Sequence, residues 1–381
     1  MPADRASSEL LCAIVRRPDD AAAQRVDRLA ENVRDWDSLL NLAREHRVLP
    51  MLFSQLADMG PAVPRAVEEQ LRAEYHRNIF HNMSNAAELI ALLKAFDRHA
   101  IPVIPLKGVV LGASIYGTLN ARPAGDLDLL IHHRDLARAM AVLLERGCKL
   151  KTPLRADGTP VYPNTYEYSF ERPMDGMVIE IRWRLTEPRF GSNLGMDWVW
   201  PLRRTAMLAG AEVPNLSPEI TLLMLCMHGS KHTWSRLIWI CDIAQLLASS
   251  PGLDWNEVNQ TAKRFGLWRT LALGVVMGHR VAGAAVPPAI LRPFESDATV
   301  RRLARHIQET LFDAPGSLPQ GRMPYAFQLL GFRDRVRWFL SLDFLRPKES
   351  DRSALQLPPS LDALYYLVRP VRMLWDKSAR P

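Results

Sequence analysis

The spacing of apolar and polar positions divides the chain into three parts. In residues 1–97, apolar side chains recur at helical spacing, as in the segments 36–56 and 64–97. Such spacing places the apolar side chains on one face of a helix, where they are buried together. Pro50 fits the first turn of a new helix, because proline is tolerated there but not in a helix interior. The first part is therefore predicted to be a helical region.

The second part, residues 98–205, alternates short apolar runs with helical segments. The runs are rich in β-branched residues or alternate in polarity, which is typical of strands. An Asp175-Gly176 pair between the last two runs indicates a hairpin turn. The predicted strands are Ile101–Leu106, Leu127–Ile131, Tyr166–Phe170 and Met177–Trp183, and the predicted helices are Gly108–Tyr116 and Asp135–Arg146. This part is predicted to hold a small mixed sheet.

The third part, residues 206–381, returns to helical spacing. Ser217 followed by Pro218 indicates a helix start, with serine as the N-cap and proline at the first helical position. Further helical segments are predicted at 238–247, 255–265 and 268–281. The predicted fold class is therefore α+β, a small mixed-sheet core flanked by helical N- and C-terminal regions.

The composition is that of a folded protein. Of 381 residues, 48% are hydrophobic and 23% are charged, which excludes an intrinsically disordered chain. No apolar stretch approaches the roughly 20 residues that a membrane helix needs, and Leu10–Val15 is too short for a signal peptide. The four cysteines are scattered, with no C-x-x-C pair, and are predicted to be free thiols. The sequence thus favours a cytoplasmic protein with no transmembrane segment.

Positive charge is concentrated towards the C-terminus. The formal net charge is +7, and from residue 301 onwards fourteen Lys and Arg residues face eight Asp and Glu residues. Two interpretations stay open. In the first, the basic region contacts a polyanion such as nucleic acid, or an anionic membrane surface. In the second, it is a solvated basic face.

Two carboxylates lie one residue apart at the head of a predicted strand, in the run Gly125–Ile131. Residues two apart on a strand point to the same side, so Asp126 and Asp128 share a face. Two carboxylates this close repel each other unless a cation lies between them. Mg²⁺ prefers oxygen ligands and commonly binds one or two carboxylates together with substrate phosphates. The pair predicts a divalent metal site; the alternative is two solvated acids beside a turn.

Other residues along this part of the chain fit the same chemistry. Glu180, on the last predicted strand, is a candidate third carboxylate. Lys107 and Gly108 lie where a strand ends and a helix begins, so backbone N–H groups and the helix dipole can face a phosphate there. Arg122 lies four residues before Asp126 and is a candidate for neutralising phosphate charge.

A pair of histidines marks a later helix. His228 and His232 are four residues apart, with Lys231 between them, which places both rings on one helix face. Three interpretations stay open: a zinc pair, although no H-E-x-x-H motif is complete; contact with a substrate; and histidines hydrogen-bonded in a seam between domains. Asp242 is expected to pair with a nearby base such as His228 or Arg236.

Taken in order, these motifs resemble a known family. The chain is similar to the divergent nucleotidyltransferases of the DNA polymerase β superfamily in four successive features. These are Leu106-Lys107-Gly108, a helix with a tyrosine, an arginine, and Gly125-Asp126-Leu127-Asp128. Within it, the chain is similar to the bacterial family of uncharacterised nucleotidyltransferases, NTP_transf_5. The resemblance continues through Glu180-Ile181-Arg182-Trp183 and the run 225–232, and spans roughly residues 35–250.

The resemblance implies a polymerase β-like core and transfer of a nucleoside monophosphate from an NTP, such as ATP, with Mg²⁺ or Mn²⁺. Asp126 and Asp128 match the metal-binding pair, and Glu180 matches the third acid, which either binds metal or acts as the base. Lys107-Gly108 stands where the superfamily usually has Gly-Ser, which holds the triphosphate. The residues expected to contact the nucleotide are Lys107, Gly108, Arg122, Arg182, His228, Lys231 and His232.

Arg182 leaves the activity open, because family members often carry histidine at its position. An arginine there can bind phosphate, or it can pair with Glu180 and disable it. The expected acceptor is a hydroxyl of a small molecule, sugar, peptide or protein. The alternative function is a catalytically lapsed protein that binds nucleotide or RNA and acts as a regulator.

Overall fold

A computed structural model describes residues 5–16, 20–57, 63–152, 166–185, 194–313, 325, 328–330 and, near the C-terminus, 355, 361, 364–366 and 368. The chain forms two compact units, residues 1–329 and 330–381. The sheets, helices and candidate site described below belong to the first unit. In the second unit, the Tyr365 hydroxyl donates a hydrogen bond to the carbonyl oxygen of Leu355 over 2.6 Å.

The first unit contains a mixed sheet of five strands, in the order β1-β2-β5-β4-β3. The strands are β1 (Val103–Leu106), β2 (Leu127–Ile131), β3 (Lys149–Leu150), β4 (Glu167–Arg172) and β5 (Met177–Arg182). β2 runs parallel to β5, and the other neighbouring pairs are antiparallel. Gly176, with a φ of 72°, lies in the predicted turn between β4 and β5. The α+β class predicted from the sequence is confirmed.

Helices precede, connect and follow these strands along the chain. Before β1 come α1 (Arg5–Ile14), α2 (Asp20–Glu31), α3 (Trp36–Glu45), α4 (Leu49–Leu56) and α5 (Arg65–Arg98), and between the strands lie α6 (Gly108–Tyr116) and α7 (Leu136–Glu145). After β5 come α8 (Met196–Val199), α9 (Pro218–Lys231), α10 (Leu237–Ser249), α11 (Trp255–Arg264), α12 (Trp268–Ala282), α13 (Pro288–Ser296) and α14 (Ala298–Thr310). α9 begins as predicted, because the Ser217 side chain accepts a hydrogen bond from Ile220 N–H.

A two-stranded hairpin crosses the predicted boundary at residue 206 and lies mostly in the segment that was predicted to be helical. β6 (Arg204–Leu208) pairs antiparallel with β7 (Ala211–Asn215). Ala209 and Gly210 form the turn with φ values of 48° and 83°, and a type I′ turn requires positive φ at both central residues. The sequence lacks the usual Asn-Gly or Asp-Gly signal, so its pattern did not predict this hairpin.

The helical part of the core is packed around Trp234, which is fully buried. A Cβ atom added at Gly229 would lie 2.4 Å from the Trp234 ring, and one at Gly274 would lie 2.4 Å from Cys226 Sγ. Glycine at these two positions therefore lets α9 and α12 approach the indole and each other closely. This packing fixes the C-terminal end of α9, which carries the predicted histidine pair.

The four cysteines are unpaired, as the sequence predicted, and three of them are buried. In the part of the chain that the structure describes, no helix combines the length and the apolar character needed to cross a membrane.

His46 joins the N-terminal helices to the start of α10. Its Nδ1 accepts a hydrogen bond from Leu237 N–H over 3.1 Å, and its carbonyl oxygen accepts one from Ile238 N–H over 3.2 Å. Arg236, the residue before α10, has no side-chain oxygen that could cap these groups. A nitrogen that accepts a hydrogen bond carries no proton, and burial, aided by the Arg236 charge, lowers the pKa of His46 to about 4.

Acidification is predicted to destabilise the fold through His46. Between pH 6.5 and about 4 the unfolded chain binds a proton at this residue, whereas the folded chain does not. In that window His46 alone should lower the free energy of unfolding by about 1.4 kcal/mol per pH unit. In a His46→Asn variant the amide oxygen still accepts the hydrogen bond but does not titrate. Urea unfolding at pH 7 and pH 5 should show the larger loss for the wild-type chain; equal losses would contradict this role.

Candidate functional site

The register of β2, β5 and β4 brings charged side chains together on the sheet. Asp128 on β2 lies opposite Glu180 on β5, and Arg182 on β5 lies opposite Glu167 on β4. Residues opposite each other in neighbouring strands point to the same face, as do residues two apart on one strand. All four side chains therefore share one face of the sheet.

The guanidinium of Arg182 lies among three carboxylates. Its Nη2 contacts Asp128 Oδ1 and Glu180 Oε2, and lies 2.9 Å from Glu167 Oε2. Arg182 is only 5% exposed, so its charge must be compensated inside the protein. Lys107 adds a second cation, with Nζ 3.0 Å from Asp128 Oδ2. Asp128 is thus held between two positive charges.

Lys107 reaches Asp128 from a backbone conformation that lysine rarely adopts. Its φ is 51° and its ψ is −149°, in a region almost confined to glycine. Gly108, with a φ of 55°, follows as the first residue of α6. A residue held in such a region costs about 1–3 kcal/mol. The strain places an ammonium group next to a buried carboxylate.

The charges in the cluster shift the pKa values of its acids in opposite directions. Burial alone would raise the pKa of Asp128, but the positive charges of Arg182 and Lys107 hold it below its usual range. Burial raises the pKa of Glu180, and the negative charge of Asp128 adds to this effect against the opposing charge of Arg182. Asp128 is therefore the ionised acid of the cluster, and Glu180 is the acid that gives up its proton less readily.

Asp126 is exposed and ends a loop that α5 holds in place. Asparagines at positions 78, 82 and 85 occupy one face of α5 and donate to carbonyl oxygens of that loop. Asn78 donates to Asn120 (3.2 Å), Asn82 to Leu119 (2.5 Å) and Arg122 (2.8 Å), and Asn85 to Gly125 (3.1 Å). Asn82 and Asn85 are buried, so losing these bonds would leave polar groups unpaired. The sequence signal that could have identified them is the helical spacing of three asparagines.

Arg122 lies away from the charged cluster. Its Nε and Nη2 donate to the two oxygens of Asp242 over 2.8 and 3.0 Å, and the Tyr116 hydroxyl donates to Asp242 Oδ1 over 3.0 Å. Both placements differ from the predictions, which put Arg122 at the phosphates and Asp242 beside His228 or Arg236. A bidentate pair uses the fork of the guanidinium, and both partners are buried. The pair joins the loop before β2 to α10.

The C-terminal end of α9 forms a further wall of the site. Lys231 Nζ donates to the Tyr166 hydroxyl over 2.8 Å. The rings of His228 and His232 lie 4.8 Å apart, and both contact the buried Trp239 on α10. Burial lowers the pKa of His228 well below its usual range, so its ring is neutral.

The charged cluster on the sheet, Asp126 and the C-terminal end of α9 line one cavity of about 190 Å³. The lining residues are Leu106, Lys107, Asp126, Asp128, Tyr166, Glu167, Glu180, Arg182, Leu185, Met224, His228, Lys231 and His232. Of the ten residues that the sequence proposed for the site, Gly108 and Arg122 are not in the lining. The sequence analysis did not propose Tyr166 and Glu167 for the site. Only the pairing of this segment with β5 shows that they lie beside the charged cluster.

The acids of the cavity suit a divalent cation by donor type, because Mg²⁺ prefers carboxylate oxygens. Their arrangement, however, includes the guanidinium of Arg182. Among the described residues, no group of three or more His, Cys, Asp or Glu side chains could hold a metal ion. Glu180, the predicted third metal ligand, contacts Arg182 through Oε2. Neither the three-carboxylate arrangement nor a zinc site at His228 and His232 is therefore formed in this part of the chain.

A known family matches more than half of the chain. A family model described as an uncharacterised nucleotidyltransferase, NTP_transf_5, matches residues 32–283. The antibiotic-resistance factor ANT(2'')-Ia is 13% identical, over 48% of this chain and 92% of that one, with a TM-score of 0.32. An antigenic nucleotidyltransferase-like protein from Paracoccidioides brasiliensis is 19% identical, over 55% and 98%, with a TM-score of 0.30. A comparison with curated proteins gave no match.

Substitutions at Lys107 are predicted to separate backbone strain from charge. Lys107→Ala removes the ammonium and keeps the strained φ, whereas Lys107→Gly removes both. The glycine variant should be more stable than the alanine variant by about 1–3 kcal/mol, measured by urea unfolding.

A matched control for this strain is Gly117→Ala, at the opposite end of the same helix. Gly117 has a φ of 69° and open space around it, so alanine there adds strain without a clash. Gly117→Ala should therefore lower the free energy of unfolding relative to the wild type. At Lys107, the alanine variant should likewise be less stable than the glycine variant. Equal stability of the two Lys107 variants would contradict the strained conformation.

Proposed function

We propose that this chain, which belongs to the nucleotidyltransferase family NTP_transf_5, transfers a nucleoside monophosphate from an NTP to a hydroxyl acceptor. The observation that carries the proposal is a single cavity lined by four carboxylates and three cations. The carboxylates are Asp126, Asp128, Glu167 and Glu180, and the cations are Lys107, Arg182 and Lys231. Nucleotidyl transfer needs both signs of charge, because oxygen ligands hold a metal and positive groups hold phosphates.

Mg²⁺ or Mn²⁺ is the proposed cofactor, and Asp126 with Asp128 would hold it. Asp126 is exposed, lines the cavity and makes no ion pair within 4.0 Å among the described residues. One or two carboxylates suffice for Mg²⁺ when substrate phosphates and water complete its ligands. Bound there, the ion would stabilise negative charge on the reacting phosphate oxygens.

Lys107 and Lys231 are proposed to bind the phosphates of the NTP. They line the same cavity from different elements, the start of α6 and the end of α9. A lysine ammonium is a compact charge that suits phosphate oxygens. Their charges would also stabilise the pyrophosphate that leaves after the acceptor oxygen bonds to the α-phosphorus. His228 and His232 line the wall beside Lys231 and are proposed to contact the substrate.

Glu180 is the proposed base for the acceptor hydroxyl. It lines the cavity directly opposite Asp128 in the sheet register, so it lies beside the proposed metal-binding pair. In this role it would accept the proton that the acceptor oxygen loses during attack on the α-phosphorus. Arg182, which contacts Asp128 and Glu180, would compensate their charge and orient both carboxylates.

A second candidate function is a regulator that binds nucleotide or RNA without transfer. The position of Arg182 favours it, because the guanidinium contacts two of the acids that transfer would use. In this case the cations of the cavity would hold the phosphates of a bound nucleotide, and the basic region from residue 301 onwards would contact RNA.

Transfer is predicted to depend on the exposed acid of the pair. The purified chain is incubated with each of the four labelled NTPs, Mg²⁺ or Mn²⁺, and a cell extract as the source of acceptor. Pyrophosphate release and label on an acceptor are measured for the wild type and for Asp126→Asn and Asp128→Asn. Each substitution should lower both signals by roughly 100-fold or more. Asp126 is exposed, so its variant should fold normally, which thermal unfolding verifies.

Glu212→Gln is the matched control for charge, because Glu212 is an exposed acid on β7 outside the cavity. Its activity should equal that of the wild type. Metal-dependent NTP binding with no pyrophosphate release in any extract would contradict transfer and support the regulatory function. Undiminished transfer by Asp126→Asn would contradict the proposed role of the pair.

A further inference from the structure

Two arginines from distant parts of the chain, Arg47 and Arg236, lie near residues that line the cavity without lining it themselves. Arg47 follows His46, and His46 accepts hydrogen bonds from Leu237 and Ile238, the two residues that follow Arg236. These bonds bring the backbone at Arg47 next to the backbone at Arg236, although the two residues are far apart in sequence. The same two arginines are close enough for the charge of Arg236 to lower the pKa of Arg47, an effect that adds to burial.

Arg47 lies against the loop that carries Asp126. A Cβ atom placed on Gly125 would be 3.5 Å from Arg47 Nη2 and 3.6 Å from Nη1, so the guanidinium covers the residue directly before Asp126. Asp126 itself lines the cavity. Arg47 also has a φ of 57°, in the left-handed region that side chains other than asparagine and aspartate seldom occupy. The backbone therefore holds the guanidinium at this place at some cost.

Arg236 is linked to the histidine side of the cavity through Trp239. Its guanidinium carbon lies 5.6 Å from the centre of the Trp239 ring, a cation–π contact that restrains the side chain. Trp239 stacks on His232, with ring centres 5.0 Å apart, and His232 lines the cavity. One arginine thus flanks the cavity at Asp126 and the other flanks it beyond His232.

Neither guanidinium forms an ion pair within the part of the chain that the structure describes, although the charge of Asp126 partly offsets the effect of burial on the pKa of Arg47. No Asp or Glu oxygen there lies within 4.0 Å of Arg47 or Arg236, in contrast to Arg182 and Arg122, which are paired with carboxylates. Two like charges near each other repel, and an anion between them removes that repulsion. A guanidinium presents several N–H donors in a plane, which matches the oxygens of a phosphate group.

We propose that Arg47 and Arg236 form a phosphate-binding subsite at the rim of the cavity, beside Asp126. The phosphate comes from one of two sources, the distal phosphates of the NTP or a phosphate group carried by the acceptor. The choice of these sources rests on the proposed function, whereas the subsite itself rests on the two arginines. In either case the subsite extends the positive lining of Lys107 and Lys231 outwards past Asp126.

The subsite is tested by calorimetric titration of the full chain with inorganic pyrophosphate in metal-free buffer. The variants are Arg47→Asn, which keeps a residue that tolerates positive φ, and Arg236→Gln. Each should weaken pyrophosphate binding by about tenfold, the effect of losing charge-assisted hydrogen bonds to one guanidinium. Arg203→Gln is the matched control: Arg203 also lies over an indole, 4.1 Å from the Trp200 ring centre, but Trp200 contacts His132, which does not line the cavity. It should bind pyrophosphate as the wild type does.

Titrations with ATP distinguish the two sources. If the subsite takes the phosphates of the NTP, both variants also bind ATP about tenfold more weakly, while their binding of adenosine is unchanged. If it takes a phosphate of the acceptor, ATP binding is unchanged and inorganic phosphate still binds the ATP-saturated wild type but not the variants. Pyrophosphate and phosphate binding that is absent in the wild type, or equal in wild type and variants, would overturn the proposal. The binding titrations do not depend on nucleotide transfer. Failure of the proposed transfer activity and failure of the proposed subsite can therefore be distinguished.

Discussion

The buried guanidinium of Arg182 is the interaction on which the site depends. β2, β5 and β4 place the carboxylates of Asp128, Glu180 and Glu167 on one face of the sheet, where their mutual repulsion would be strong. Arg182 contacts all three, and the ammonium of Lys107 adds a second positive charge at Asp128. Removing one partner of such a cluster leaves buried charge uncompensated, which commonly costs about 3–5 kcal/mol. The same arrangement places acids and cations in the cavity that we propose to bind a nucleotide.

Long-range contacts hold the parts of the chain that carry this cluster. Asn82 and Asn85 of α5 bind the loop that ends in Asp126, and the pair of Arg122 with Asp242 joins that loop to α10. At the start of α10, His46 supplies the cap that Arg236 cannot. Each contact uses a buried polar group, so each tolerates substitution poorly. The exposed Asp126 thus sits on a firmly held backbone.

The sequence predicted the features that are determined by neighbouring residues, namely the bounds of some elements and a helix cap. The bounds predicted for α6 and β2 equal those of the structure, and the N-cap at Ser217 is present, because apolar spacing and capping are properties of short segments. The β6–β7 hairpin was missed because its turn lacks a typical signal. Arg122 was misplaced because its partner, Asp242, is 120 residues away, and the acid Glu167 was overlooked because only strand pairing reveals its neighbours. Composition and spacing carry no information about such partners.

The central claim is that Arg182 compensates the charge of carboxylates that would bind a divalent cation more tightly without it. Its most direct test is titration of the chain with Mn²⁺ in the absence of nucleotide, followed by electron paramagnetic resonance of the unbound ion. Arg182→Gln should bind Mn²⁺ at least about tenfold more tightly than the wild type, because Asp128 and Glu180 lose their guanidinium, whereas Arg182→Lys should resemble the wild type. If Arg182→Gln alone is poorly folded, Mn²⁺ should raise its unfolding temperature more than that of the wild type. Mn²⁺ affinity that is unchanged or weaker in folded Arg182→Gln would contradict the claim.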